Sequence, residues 1–240
     1  MTILTNIFFC DRIKKKGLEN SFRTEPPMPT INTTKIRTKN KNLFLRVSKG
    51  HFATSHSHIN YYIDVTTQKA RLSEAEAVAK ELVSYYSSNT IVDAILCLDG
   101  TQVIGTLLAE ELTKGNFTNL NAHQTIYIVT PEHTSGSQLF FRDNIVPMIA
   151  GKNVLILAAS VTTGYTAQAA IEAIKYYNGA VAGVCAMFAT VDEVSGYPVQ
   201  SVFDTKDLGD YASYPSHECP LCKRGQRIDA LVNSFGFSKL

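Results

Sequence analysis

The sequence has no apolar run long enough to cross a bilayer, which excludes a helical membrane span within these residues. It also has little net charge: 23 Lys and Arg against 21 Asp and Glu leave +2, too small a surplus for the basic footprint of a nucleic-acid binder. Cysteine is sparse and odd in number, at Cys10, Cys97, Cys185, Cys219 and Cys222. A chain of 240 residues can bury a core without disulfide staples, so a disulfide framework is excluded and a reduced, cytoplasmic setting is expected. Near the start, apolar Ile7, Phe8, Phe9 and Cys10 come before the basic residues 14–16, the reverse of a secretion signal. What remains is ordinary globular composition, 45% hydrophobic and 18% charged.

Residues 1–42 carry Pro26, Pro27 and Pro29 among Thr, Asn and scattered Lys, and read as a loosely ordered arm in which Met28 is an alternative start. Order is expected from residue 43. Residues 43–47 suit a strand or a short helix, and the aromatic and β-branched residues 61–65 suit a strand. Ser73 and Glu76 have capping-box spacing, and Ala77, Val78, Leu82, Val83 and Tyr86 recur at helical spacing, which predicts a helix over residues 73–86. Beyond it, five short apolar runs (91–98, 125–129, 154–157, 180–188 and 199–203) are separated by helical or loop segments, with helices expected over 101–114 and 167–177. That alternation is the pattern of an α/β fold: a parallel twisted sheet with helices on both faces, whose ligand lies at the carboxyl ends of the strands. Residues 99–101, 131–142 and 158–166 then surround one cleft.

The most informative segment leads from the run 154–157 through Ala158 and Ala159 into Ser160, Val161, Thr162, Thr163, Gly164, Tyr165 and Thr166, where a helix begins. The first turn of a helix leaves backbone N–H groups unpaired, and its dipole adds partial positive charge. A phosphate monoester fits such a place, threonine hydroxyls add donors, and Gly164 permits close approach. The same residues could equally serve only to cap the helix.

This segment resembles the phosphoribosyl-pyrophosphate motif of type I phosphoribosyltransferases, in which four apolar residues, two acidic residues and two apolar residues precede Thr-Thr-Gly-Gly-Thr. Further pieces resemble the orotate branch of that family: Gly50-His51-Phe52 with Tyr61 or Tyr62, Leu98-Asp99-Gly100-Thr101, and the Cys219-Pro220-Leu221-Cys222 ending. The resemblance runs from residue 43 to residue 225. It implies a Rossmann-like type I phosphoribosyltransferase domain over 43–215 with a small N-terminal hood from 43 to 70, followed by a tail over 216–240. It further implies a phosphoribosyl pyrophosphate or nucleotide ligand and Mg²⁺ with the diphosphate. The 5′-phosphate would sit at residues 160–166, the pyrophosphate at Asp99, Gly100 and Thr101, and the base beside His51, Phe52 and Tyr61. A homodimer is implied as well.

The chain departs from the family pattern in three places. Alanine stands at 158 and 159 where the family has the two acids that hold the ribose hydroxyls and support the developing sugar cation, so catalysis should be impaired, with Asp99 and Asp143 as substitutes to consider. The segment 131–143 lacks lysine. His133 and Arg142 are left as candidates to meet phosphate oxygens, together with Asp99, while Gly136 and its serines suit a lid or a plain surface loop. Finally, His51, His56 and His58 are grouped in the hood, where they could take a metal or an anion or simply be solvated. His217, Cys219 and Cys222 offer three zinc-type ligands, short of the usual four. Cys10 or a histidine could complete the set only through the fold, and a turn packed by two thiols is the alternative. Two functions stay open: a phosphoribosyltransferase with weakened catalysis, or a nucleotide-sensing regulator of the same fold.

Overall fold

The computed structural model describes residues 32–37, 43–115, 119–134 and 138–240. In chain order the elements are β1 (Thr33–Arg37), β2 (Phe44–Ala53), β3 (His58–Asp64), α1 (Thr66–Ala70), α2 (Leu72–Tyr86), β4 (Ala94–Cys97), α3 (Gln102–Thr113), β5 (Tyr127–Val129), β6 (Glu132–His133) and β7 (Leu139–Phe140). They continue with β8 (Asn153–Val161), α4 (Tyr165–Tyr176), β9 (Ala180–Ala189), β10 (Glu193–Val194), β11 (Tyr197–Asp204), β12 (Ser213–Tyr214), α5 (Pro220–Lys223), β13 (Ala230–Asn233) and β14 (Gly236–Lys239).

The five apolar runs become five parallel strands in the order β11-β9-β8-β4-β5, and β10 adds an antiparallel edge beside β11. Their unbroken hydrophobicity follows from cover on both faces. In β8, Leu155, Leu157 and Ala159 pack into the core that holds α2 and α3. Val154, Ile156 and Ala158 point the other way, into the core that holds α4. Each fully buried leucine or isoleucine here contributes about 1.5–3 kcal/mol relative to exposure. The period of two along β8 puts Ala158 and Ala159 on opposite faces of the sheet.

The hood is a second sheet, β12-β3-β2-β13-β14, with β1 paired antiparallel to β2. The segment 43–47 is therefore strand from Phe44 onward, and residues 33–37, within the expected arm, are β1. Residues 1–31 and 38–42 of that arm, with Cys10 and Met28, lie outside the described residues. The tail is not separate. β13 runs parallel to β2 at Phe52 and Ala53, and β14 folds back on β13, so the chain's last segment completes the hood.

Two helix starts differ from the sequence expectation. Arg71, in an extended conformation, occupies the N-cap of α2, so Ser73 lies inside the helix and makes no capping box. Glu74 is drawn instead into a buried pair with Arg46 of β2, at 2.7 and 2.8 Å. α4 begins at Tyr165, two residues before the expected 167, because left-handed Gly164 forms the N-cap. Among the described residues no helix is long and apolar enough to cross a membrane.

Candidate functional site

A cleft of about 230 Å³ opens between the carboxyl ends of the parallel strands and the hood. Its floor and one wall come from Ala159, Ser160, Thr162, Thr163, Tyr165 and Thr166, and Asp99 joins them from the end of β4. The opposite wall is the hood turn at residues 54–57 with Tyr62. Across the mouth, the rings of His56 and Tyr165 stand 5.7 Å apart. Of the strand-to-helix segment read as a phosphate cradle, Ser160, Thr162, Thr163, Tyr165 and Thr166 therefore line a cavity, while Val161 packs into the core.

The loop is held from below. Thr190 Oγ1 donates to the Thr162 carbonyl at 2.8 Å, and Gly164 takes φ +80°. A Cβ at Gly164 would lie 3.1 Å from Val194 Cγ2. Left-handed backbone is costly for any residue with a Cβ, so Gly164→Ala is expected to lower stability by about 1–2 kcal/mol in thermal unfolding. Adding Val194→Ala should recover the contact part of that loss but not the backbone part. No side chain caps α4, so the N–H groups of its first turn have no side-chain partner, and Thr162, Thr163 and Thr166 beside them line the cleft.

The other expected pyrophosphate residues divide. Asp99 adopts φ +55° and lines the cleft. Thr101 is fully buried, and its hydroxyl donates to the carbonyls of Leu98 and Leu157 at 2.8 and 3.1 Å, so it fixes the end of β4 and has no hydroxyl left for a ligand. Gly100 forms the turn between them, at φ +78°. A residue that sequence reasoning missed lies next to this turn. Lys69 Nζ donates to the carbonyls of Asp99, at 2.8 Å, and Ser234, at 2.6 Å, joining the loop after β4 to the hood's last hairpin. Burial pushes its ammonium below the usual lysine range. Nothing in the spacing around Lys69 marks it, because both of its partners are backbone atoms distant in sequence.

The base-side expectations need correction. His51 is fully buried and does not line the cleft. Its Nδ1 meets the carbonyls of Gln226 and Arg227, and its Nε2 faces His58 and two cysteines. Phe52 packs in the hood core with Tyr62, their ring centroids 6.1 Å apart. Tyr61 lies on the far face of β3, where its hydroxyl donates to Asp210. Strand alternation puts its neighbour Tyr62 in the cleft wall, and burial pushes the Tyr62 phenol up to about 12.

The candidates on the 131–143 segment do not reach the cleft. Arg142 makes a bidentate pair with Glu132 at 2.8 and 2.7 Å, and His133 sits on the exposed two-stranded ribbon β6–β7. Neither Asp143 nor these residues line the cavity. Residues 135–137, with Gly136 of the expected lid, lie outside the described residues. His217 also leaves its expected place: it is exposed and pairs with Glu218 at 3.2 Å, away from Cys219 and Cys222.

The chain thus combines a parallel α/β sheet, a cleft at its carboxyl ends and a threonine-lined helix start facing a separate hood sheet. No family model matches the chain. Its curated relatives carry a more particular name. The orotate phosphoribosyltransferase of Chlorobium phaeobacteroides is 28% identical over 192 residues, 76% of this chain and 86% of that protein. The orotate phosphoribosyltransferase of Chlorobaculum parvum is 27% identical over 184 residues, 75% and 86% of the two chains. Among solved structures, the orotate phosphoribosyltransferase of Mycobacterium tuberculosis H37Rv aligns at a TM-score of 0.48 with 16% identity, over 69% of this chain and 93% of that one. The UMP synthase of Leishmania donovani aligns at 0.48 with 18% identity, over 68% and 34%.

Proposed function

We propose that this chain binds phosphoribosyl pyrophosphate or a nucleotide through its 5′-phosphate and transfers the phosphoribosyl group to a base, orotate being the base its curated relatives' name suggests. The observation that carries the proposal is the convergence of the first turn of α4, three threonine hydroxyls and Asp99 on one cleft. The phosphate would take N–H groups of residues 165–167 and the hydroxyls of Thr162, Thr163 and Thr166. The base would lie under the hood turn, near Tyr62 and His56.

The diphosphate would carry Mg²⁺, a cation that keeps several waters and needs only one or two protein carboxylates. Among the described residues Asp99 is the one carboxylate lining the cleft, which suits that requirement. The bound cation would neutralise charge on the leaving diphosphate. Tyr62, His56 and the hood turn would exclude water from the sugar. The weak point is the cleft floor. The reaction develops positive charge on the sugar, and Ala159 offers it a methyl group where a carboxylate would help. That same methyl favours the second reading, a sensor that holds the ligand without turning it over.

Calorimetry with phosphoribosyl pyrophosphate and Mg²⁺, together with a pyrophosphate-release assay over a panel of bases, tests both readings. Binding with slow release on orotate is expected. Binding with no release on any base would leave the sensor, and no binding would end both. Thr162→Val with Thr166→Val is expected to weaken donor binding about 100-fold or more, since each hydroxyl bonded to a charged oxygen contributes about 1.5–3 kcal/mol.

A further inference from the structure

We propose that His51, His58, Cys219 and Cys222 form a structural zinc site that clamps the hood to the chain's tail. Their four ligand atoms lie within 4.8 Å of one another. His51 Nε2 is 3.1 Å from His58 Nδ1, and Cys222 Sγ is 3.2 Å from His58 Nδ1. Cys219 Sγ and Cys222 Sγ are each 3.6 Å from His51 Nε2. Tetrahedral zinc with bonds of about 2.05 Å to nitrogen and 2.3 Å to sulfur requires edges of roughly 3.3 Å between nitrogens and 3.6 Å between nitrogen and sulfur. The observed separations are close to that tetrahedron before any ion is added.

The second observation is the partner of His51's other ring nitrogen. Nδ1 lies 2.9 Å from the Gln226 carbonyl and 3.2 Å from that of Arg227. A carbonyl can only accept, so Nδ1 carries the proton and Nε2 presents its lone pair to the cluster. This outer contact is the one that metal-bound histidines normally make. Both cysteines are free, and two thiolates with two imidazoles in a tetrahedron select zinc over harder cations. Four ligands, with none left for water, make the site structural and not hydrolytic.

The fold spends specific local structure on this arrangement. β2 is bulged between Lys49 and Phe52, and the bulge presents His51. Gly50 is needed there, since a Cβ would come 2.7 Å from Asp229 Oδ2, the atom that accepts the His51 N–H. His58 opens β3, and α5 begins at Pro220 between the two cysteines. The cysteine pair and the histidine pair stand more than 160 residues apart in sequence, so the ion would close the hood's two halves. It would also hold both ends of the turn 54–57, which forms the cleft's upper wall.

The test uses the full chain, produced with added zinc and purified reduced without chelator. Elemental analysis should find one zinc per chain. Cobalt(II) exchanged into the site should show thiolate charge-transfer and tetrahedral ligand-field bands. Cys222→Ser and His58→Ala should each weaken zinc binding about 100-fold or more in chelator competition, while His217→Ala should leave it unchanged. Zinc-free wild type after incubation with the ion under reducing conditions would overturn the proposal, as would an equal loss in His217→Ala. A Cys219–Cys222 disulfide in protein purified anaerobically would overturn it too. Wild-type metal content decides the matter even where a variant fails to fold. None of the four ligands lines the phosphate cleft, so a negative result leaves the phosphoribosyltransferase reading in place.

Discussion

Ala159→Asp is expected to raise pyrophosphate release about 100-fold or more, whereas Ala158→Asp is expected to give no gain and to destabilise the fold by about 3 kcal/mol or more. The difference comes from one residue of strand register. Ala159 lines the cleft, where under the proposed reaction a carboxylate would face the sugar whose positive charge grows in the transition state. A preorganised group of that kind typically lowers the barrier by about 3–4 kcal/mol, which sets the expected rate gain. Both alanines are buried, but Ala159 borders the cleft, whereas Ala158 packs into the core under α4, opposite Ala186 of β9. A carboxylate there has neither room nor partner, and burying it costs several kcal/mol or forces it to stay protonated. Initial rates with Mg²⁺, phosphoribosyl pyrophosphate and orotate, beside thermal unfolding of each variant, separate the two. Equal gains from both substitutions would mean the assignment of faces is wrong. A folded Ala159→Asp protein that still binds donor but gains nothing would place the defect in the hood, and the sensor reading would stand.

The parallel sheet was legible because its strands are buried on both faces. The runs 91–98, 125–129, 154–157, 180–188 and 199–203 need no partner information to be recognised as interior strands, and the loop after 154–157 announces a helix start by its glycine and threonines. The alternation of residues 154–159 even says that Ala158 and Ala159 face opposite ways. It does not say which face holds the ligand, because that depends on where the hood sits. The hood was the illegible part. Its sheet joins β2 and β3 to β12, β13 and β14 from the other end of the chain, and no local pattern encodes such pairing. Hence the resemblance puts His51 beside the base, and closeness in sequence puts His217 with Cys219 and Cys222. In space the bulge in β2 turns His51 inward to Cys219 and Cys222, and His217 turns out to Glu218. Thr101 and Arg142 were misread for a related reason. Their chemistry suits phosphate, but carbonyls at the end of β4 and the carboxylate of Glu132 already occupy them.

The hood also depends on a buried ion pair, and Glu74→Ala is expected to lower stability by about 3 kcal/mol. Glu74 lies in the first turn of α2 with its side chain 6% exposed, and Arg46 of β2 is 12% exposed. Arg46 meets both carboxylate oxygens, and Thr67 of α1 donates to the same group at 2.9 Å, so one carboxylate joins hood strand, short helix and long helix. Removing it leaves Arg46 charged and shielded from water without its acceptor, which is what makes breaking such a pair costly. For a domain of this size the loss corresponds to a melting shift of about 6–12 °C. The Arg46 guanidinium holds the Glu74 carboxyl below its usual value in the folded chain. Its contribution is therefore present above the unfolded value of about 4.3 and is lost as pH falls through the lower, folded value. The gap in stability between wild type and Glu74→Gln should narrow as the solution is acidified through that window and be constant above it. Arg46→Met with Glu74→Leu removes both charges at similar volume and should recover most of the loss. If the single variant melts with the wild type, the pair contributes nothing, and the hood is joined to α2 by apolar contact alone.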